Sequence, residues 1–260
     1  MKFSLTLAAS TLISAVVGDA VPWERLNKND SMLLVVDMQE GLFNLARDFD
    51  PTLYRNAMLA HSSLANIFDL PVVLTTSAET GKPNFASKPT VISTKPLTQP
   101  GPNGPLPQEI LDMHPTAPLI KRNGEVDAWD NADFRDAVRA ANKSQIILAG
   151  ITTDVCTTFL ALSLRAEGYS VWANVEASGT TTELIRDISN DRMAAAGVQV
   201  VSLFSISLDL MRDWRNTPGA NELFSWLDEY YPAYGYIARG HRAAVENGTV
   251  SDAQKTLPLR

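Results

Sequence analysis

Ser144-Gln145-Ile146-Ile147-Leu148-Ala149 followed by Gly150-Ile151-Thr152-Thr153-Asp154-Val155-Cys156 is the stretch around which the chain is organised. A short run rich in Ile, Leu and Ala, closed by Gly and then Thr-Thr-Asp, predicts a buried strand, a tight turn and a helix N-terminus. Apolar residues at helical spacing from Phe159 to Leu164, stopped by Gly168, continue that helix and put Cys156 in its first turn. Free backbone N–H groups and the positive end of the helix dipole favour thiolate over thiol there, the condition for a reactive cysteine.

Working outward, five further apolar runs repeat the strand pattern. Ser31-Met32-Leu33-Leu34-Val35-Val36 ends in Asp37, and Asp50-Pro51 then opens a helix through about Phe68, with the Asp as cap and Pro at the first helical position. Leu70 to Thr76, Ala117 to Arg122, Tyr169 to Val175 and Val198 to Ser202 are the other runs. Helical patterns separate them, including Ala132 to Ala141 behind the cap Asn131, and Thr180 to Ala196. This alternation predicts an α/β protein, a three-layer α/β/α doubly wound domain on a six-stranded, mainly parallel sheet. The aromatic-rich C-terminal part, from Met211 to Tyr236, reads as helical core or subunit interface.

Composition narrows the function. At 260 residues with 45% hydrophobic and 20% charged residues, the chain is an ordinary globular protein with a net charge of -7 and no Lys/Arg cluster, which argues against nucleic acid. One cysteine excludes an intramolecular disulfide and a Cys-based metal cluster. Met1-Lys2, the apolar run Phe3 to Val17 and the small-residue site Gly18-Asp19-Ala20 read as a signal peptide over residues 1–20, hence a secreted protein, with a cytoplasmic protein as the alternative. No later segment approaches the ~18 apolar residues of a membrane span, so no membrane is expected for the mature chain, a single domain over 21–260.

Three residues fall at the C-terminal ends of three strands, the edge where open α/β sheets bind ligands: Asp37, Lys121 and Cys156. Asp37 can take the thiol proton, Lys121 can supply a cation, and N–H groups of the turn from Ile151 to Cys156 can receive an oxyanion. That constellation is an acyl-transfer site.

These segments resemble a known family. Leu33 to Gln39, Ile120-Lys121-Arg122 and Ala149 to Cys156 resemble the signatures of the isochorismatase-like cysteine hydrolase superfamily. Thr75-Thr76-Ser77, Gly101 to Pro105, Asn123 to Asn131, Glu176 to Thr180 and Met211 to Asn216 resemble its YcaC-like branch. The resemblance implies a Cys156-Asp37-Lys121 triad and a cis peptide at Ile151-Thr152 that aims the N–H groups of Thr152 and Cys156 at the oxyanion. It also implies a large homo-oligomer, often an octamer. Phe43 and Trp129, near the first and third strand ends, are candidate walls of a small-molecule pocket. Nicotinamidases of the superfamily carry an Asp/His metal site, and His61, His114 and His241 do not form that pattern, so no metal and no cofactor are expected. The expected activity is metal-independent hydrolysis of a small amide or carbamoyl carbon–nitrogen bond through a thioester. The alternatives are isochorismatase-type vinyl ether hydrolysis and a non-catalytic oligomeric ligand-binding scaffold.

Lys82 to Gly101 interrupts the family's continuous segment, is rich in Pro, Ser, Thr and Lys, and has neither helical nor strand period. It reads as an inserted, disordered loop. Gly81-Lys82 can be encoded with a GTAAG donor and Pro100-Gly101 with a CAG acceptor in the same phase, which points to a retained intron.

Overall fold

In the computed structural model the described residues are 24–79 and 101–249. The proposed signal peptide and all of the proposed insertion except Gly101 lie outside them. The apolar runs form six strands: β1 (Ser31–Val36), β2 (Val72–Ser77), β3 (Leu119–Arg122), β4 (Gln145–Gly150), β5 (Ser170–Asn174) and β6 (Gln199–Val201). They lie side by side in the order β3-β2-β1-β4-β5-β6, and every neighbouring pair is parallel. Every residue of β1 and of β4 is buried, as strands covered on both faces must be. The chain winds outward from β1 through β2 to β3, then returns to β4 beside β1 and winds out the other way. Strand order therefore reverses between β1 and β4, and the carboxyl ends of those strands are where such a sheet opens a crevice.

Helices α1 (Pro51–Phe68), α2 (Gln108–Met113), α3 (Ala132–Ala140), α4 (Thr158–Ala166), α5 (Glu183–Ala195), α6 (Leu203–Met211), α7 (Ala220–Tyr230) and α8 (Pro232–Glu246) complete the fold. Side chains alternate across a strand, so β1 feeds two cores. Leu33 and Val35 pack with Tyr54, Met58 and Leu64 of α1 and with residues of α6 and α7. Met32, Leu34 and Val36 pack with Phe134 and Val138 of α3 and Leu160 and Leu164 of α4. These are the three layers. Asp50 caps α1 by accepting from the N–H groups of Thr52 and Leu53, with Pro51 at the first position. Of the C-terminal aromatics Trp226 is core and others pack against it, Trp214 stacking on Phe224 and Tyr234 at 5.7 and 5.5 Å and Phe204 on Tyr231 at 4.7 Å, while Tyr236 is exposed. No helix of the described residues is long and apolar enough to cross a membrane.

Two helices start later than their sequence pattern. The segment after β4 first makes a π-type turn, with the Thr157 N–H bonded to Thr152 O at 3.1 Å, and α4 begins only at Thr158. α5 begins at Glu183, capped by the Thr182 hydroxyl, which leaves Thr180 in the loop that precedes it.

His61 is a buried polar pin between layers. Its Nε2–H donates to Leu34 O of β1 at 3.1 Å and its Nδ1 faces the amide of Asn174 at the end of β5 at 3.3 Å. Burial pushes its pKa down from 6.5 to about 4. Between those values the unfolded chain binds a proton that the folded chain refuses, so stability falls as pH falls across that window, by up to roughly 3 kcal/mol. Urea unfolding at pH 7, 5.5 and 4 is expected to show this loss, and His61→Gln, which keeps a donor and an acceptor but cannot titrate, is expected to flatten it.

The two flanks of the undescribed internal segment meet: the Gly101 N–H donates to Glu79 O at 2.6 Å. A Cβ on Gly101 would lie 1.8 Å from Ala78 O, so only glycine fits before Pro102. Deleting Lys82 to Gly101 places Gly81 there and closes the chain through Thr80 as a three-residue turn. The shortened protein is expected to unfold cooperatively, with stability equal to the full chain's or higher by on the order of 1 kcal/mol from the loop-closure entropy saved. Loss of the cooperative calorimetric transition would count against an insertion.

Candidate active site

Asp37 directly follows β1 and turns out of the strand with φ 52°, a left-handed conformation that Asp tolerates better than most residues. Its N–H donates to Thr75 O of β2 at 3.0 Å, which fixes the carboxylate at the strand end, fully buried. A buried carboxylate needs a counter-charge, and the strand two places over supplies it. Within β3, Lys121 is exposed and Arg122 buried, as alternation demands of neighbours. Arg122 gives one terminal nitrogen to both carboxylate oxygens of Asp37. Its Nε donates to Thr75 Oγ1 at 3.0 Å, and its other terminal nitrogen donates to the carbonyls of Glu125 and Val126. A guanidinium can satisfy this many acceptors in one plane; an ammonium cannot.

Lys121 is therefore not brought to the centre. Its Nζ bonds Glu79 Oε1 at 2.7 Å with half of its side chain exposed, and Glu79 also accepts from the Thr76 hydroxyl at 2.8 Å. The expected Cys-Asp-Lys grouping is a Cys156-Asp37-Arg122 grouping: the cation is on the right strand, one residue along.

Cys156, the single cysteine, is presented by the π-type turn after β4. The Ile151-Thr152 peptide bond is cis. Asp37 and the Thr152 N–H are the polar neighbours that act on the thiol. Burial first, then the Asp37 charge, push the thiol well above the ordinary range, with Arg122 and the Thr152 N–H opposing. Burial also raises Asp37, held back by Arg122 and by hydrogen bonds from Cys156 and Ser77. The resting group is thus a neutral thiol beside an arginine-paired carboxylate. The thiolate expected from the helix dipole is not what the site stabilises, because burial disfavours the charge and Asp37 beside it is negative.

The rim is held by Gln39, which the sequence pattern did not single out as a site residue. Buried after β1, it accepts from the Ser77 N–H at 2.8 Å and donates to Ser77 O at 3.0 Å and Gly104 O. Asn103 donates to the same Ser77 carbonyl at 2.9 Å. The turn Gly101 to Pro105 is thereby tied to β2. Of the two candidate pocket walls, Phe43 is half-buried, 5.7 Å from the Tyr54 ring, and lines a cavity of about 320 Å³ with Met38, Gln39 and Met58 rather than with Cys156. Trp129 lies edge-on to Phe134 and Tyr169 under Arg139, in the α3 core. Its short helical turn points the ring inward, and Cys156 packs against the same cluster.

Beneath the nucleophile turn, Gly179 bridges to Ile151, and Gly179 O accepts from the Thr153 N–H at 3.0 Å. Its neighbour Thr180 donates its hydroxyl to Asp154 at 2.7 Å and its N–H to Asp48 at 2.8 Å. Among the described residues no group of three or more His, Cys, Asp or Glu side chains is placed to hold a metal ion.

The fold is shared with known proteins. A model of the isochorismatase domain matches residues 31–204. A probable hydrolase of Escherichia coli K12, YcaC, is 43% identical over 205 residues, 78% of this chain and 89% of the relative. The structure of YcaC from Pseudomonas aeruginosa with hexane-2,5-diol and covalent acrylamide superposes with a TM-score of 0.74 at 41% identity, over 84% of this chain and 97% of that one. The E. coli YcaC crystal structure, described as an octameric hydrolase of unknown specificity, gives 0.75 at 40% identity over 85% and 98%.

Proposed function

The chain belongs to the isochorismatase family and is a YcaC-like hydrolase, and on that premise we propose that it opens a small amide or carbamoyl carbon–nitrogen bond without a metal, using Cys156, Asp37 and Arg122. The observation that carries this reading is the placing of the only cysteine beside a buried carboxylate whose two oxygens both accept from one nitrogen of Arg122. Because the thiol rests protonated, proton transfer to Asp37 accompanies attack: the sulfur–carbon bond forms as the proton leaves sulfur. The N–H groups of Thr152 and Cys156 receive the oxyanion. The carbon–nitrogen bond then breaks as Asp37 returns the proton to nitrogen, and an amine leaves. Water, deprotonated by Asp37, attacks the thioester, and the departing sulfur recovers the proton. Arg122 keeps Asp37 ionised between turns.

An uncharged substrate suits the site better than a dicarboxylate such as isochorismate. Both cations of β3 are already neutralised, Arg122 by Asp37 and Lys121 by Glu79. A covalent acrylamide in the Pseudomonas relative is what a reactive nucleophile would give. The octameric E. coli relative supports a homo-oligomer for this chain as well, and Met1 to Ala20 supports an exported protein whose mature N-terminus follows Ala20.

The test is acrylamide treatment followed by peptide mass spectrometry, with ammonia release from a panel of small primary amides. Modification confined to Cys156 and ammonia release abolished in Cys156→Ser are expected. No modification and no turnover in folded protein would leave a ligand-binding scaffold instead.

A further inference from the structure

Ser77 is the last residue of β2 and is half-buried. Side chains alternate along a strand, so it shares a face with Thr75, whose hydroxyl accepts from the Arg122 Nε at 3.0 Å. In the sheet it is registered directly against Arg122 of β3. Its hydroxyl therefore stands beside the buried Asp37–Arg122 pair and is one of the polar groups that act on the Asp37 carboxylate.

The backbone and the hydroxyl of Ser77 have separate partners. The clamp with the rim uses the backbone: the N–H donates to Gln39 Oε1 at 2.8 Å, and the carbonyl accepts from Gln39 Nε2 at 3.0 Å and from Asn103 Nδ2 at 2.9 Å. The hydroxyl oxygen accepts from the same Asn103 amide at 3.2 Å, which turns its own proton away from the rim. Two acceptors are left for that proton. Gln39 Oε1 is 3.4 Å away and already holds the Ser77 N–H, a longer reach than the roughly 2.5–3.0 Å of an ordinary O–H donor. The other is Asp37, and an ionised carboxylate is the stronger acceptor.

We propose that Ser77 is a positioning residue: Asn103 orients its hydroxyl, and the hydroxyl donates to the Asp37 carboxylate and holds it ready for the Cys156 proton. The proposal rests on the cysteine hydrolase reading above. Arg122 offers a single nitrogen to both carboxylate oxygens, which neutralises the charge without telling the two oxygens apart. A second donor on one side makes them different and leaves the other oxygen for the thiol. The rim turn that carries Asn103 thus reaches the base through one hydroxyl.

Acrylamide addition to Cys156, followed by mass spectrometry from pH 4 to 9, reads the state of Asp37, because addition through this base needs the ionised carboxylate. The groups that face Asp37 are Arg122 from β3, Cys156 from the turn after β4 and Ser77 from β2. The guanidinium does not titrate and the Cys156 thiol lies well above the ordinary range, so an acid limb in the rate belongs to Asp37. A donor to the carboxylate favours its charged form, so losing one raises the carboxyl and moves the limb up. In Ser77→Ala the limb is expected to rise by about one pH unit, roughly a tenfold loss of rate below it. The thermal melt should stay near that of the wild type, since the backbone clamp is untouched. Ser77→Thr is expected to keep the wild-type limb, and Ser77→Val, which has the shape of threonine without the hydroxyl, to follow alanine. The threonine and valine pair decides the question if the alanine variant does not fold. A limb that stays in place without the hydroxyl, or that moves as far in Ser77→Thr, overturns the proposal. A wild-type rate with no acid limb, rising only as an ordinary thiol ionises, fails at Asp37 as the base, a result distinct from either of these.

Discussion

Arg122→Met is expected to abolish acrylamide modification and turnover near neutral pH and to lower stability by roughly 3–5 kcal/mol, the cost of leaving one partner of a buried ion pair alone. Asp37 and Arg122 are both fully buried in their side chains. Without the guanidinium, the only inexpensive state for Asp37 is the protonated one, and a protonated carboxyl cannot accept the thiol proton. Lys121→Ala makes the matching control. Its ion pair with Glu79 is half-exposed, and its removal is expected to cost less than about 1 kcal/mol and to leave the alkylation rate unchanged. Urea unfolding and acrylamide rates on both variants check this. The reverse pattern, with Lys121 essential and Arg122 dispensable, would return the cation's role to the lysine.

Asp37→Asn is expected to separate two properties that usually move together. The Asp37 charge raises the Cys156 thiol, and Arg122 lowers it. Removing the first leaves only burial against the arginine, so the thiol pKa falls. The pH profile of iodoacetamide labelling should therefore move down from its place above the ordinary thiol range in the wild type. Hydrolysis, which needs a group to carry the proton to the leaving nitrogen, should drop by roughly 10²–10⁴. A more reactive sulfur in a less active enzyme is the expected outcome. A labelling profile that stays in place or moves up would mean that Asp37 does not set the protonation of Cys156.

The fold was legible because burial on both faces of a parallel sheet writes itself as uninterrupted aliphatic runs. Met32 to Val36 and Ile146 to Ala149 carry no other message, and Asp50-Pro51 marked the start of α1 to the residue. Asp37 was legible as the first polar residue past such a run, and Cys156 as the single cysteine in the turn that follows another. Lys121 and Arg122 were not separable. In a four-residue strand with a cation at each of two successive positions, a one-residue ambiguity flips every side chain, and only the three-dimensional register decides which faces the site. The available hint was chemical: a buried carboxylate between strands calls for a planar, multidentate donor. For Trp129, proximity to a strand end in sequence does not say which way a short helical turn points its ring, which here lies against Phe134 and Tyr169. The Gln39–Ser77–Asn103 clamp and the Thr180–Asp154 bond left no periodic trace, since each joins side chains from segments far apart in the sequence.

The protonated resting state of Cys156 has a consequence outside hydrolysis. Peroxides and other oxidants attack thiolates, and a sulfenic acid formed here would have no second cysteine in the chain to trap it as a recoverable disulfide. A thiol that surrenders its proton only as a substrate carbonyl arrives presents little thiolate in the idle enzyme. In an oxidising environment, the carboxylate that activates this cysteine would also protect it between turnovers.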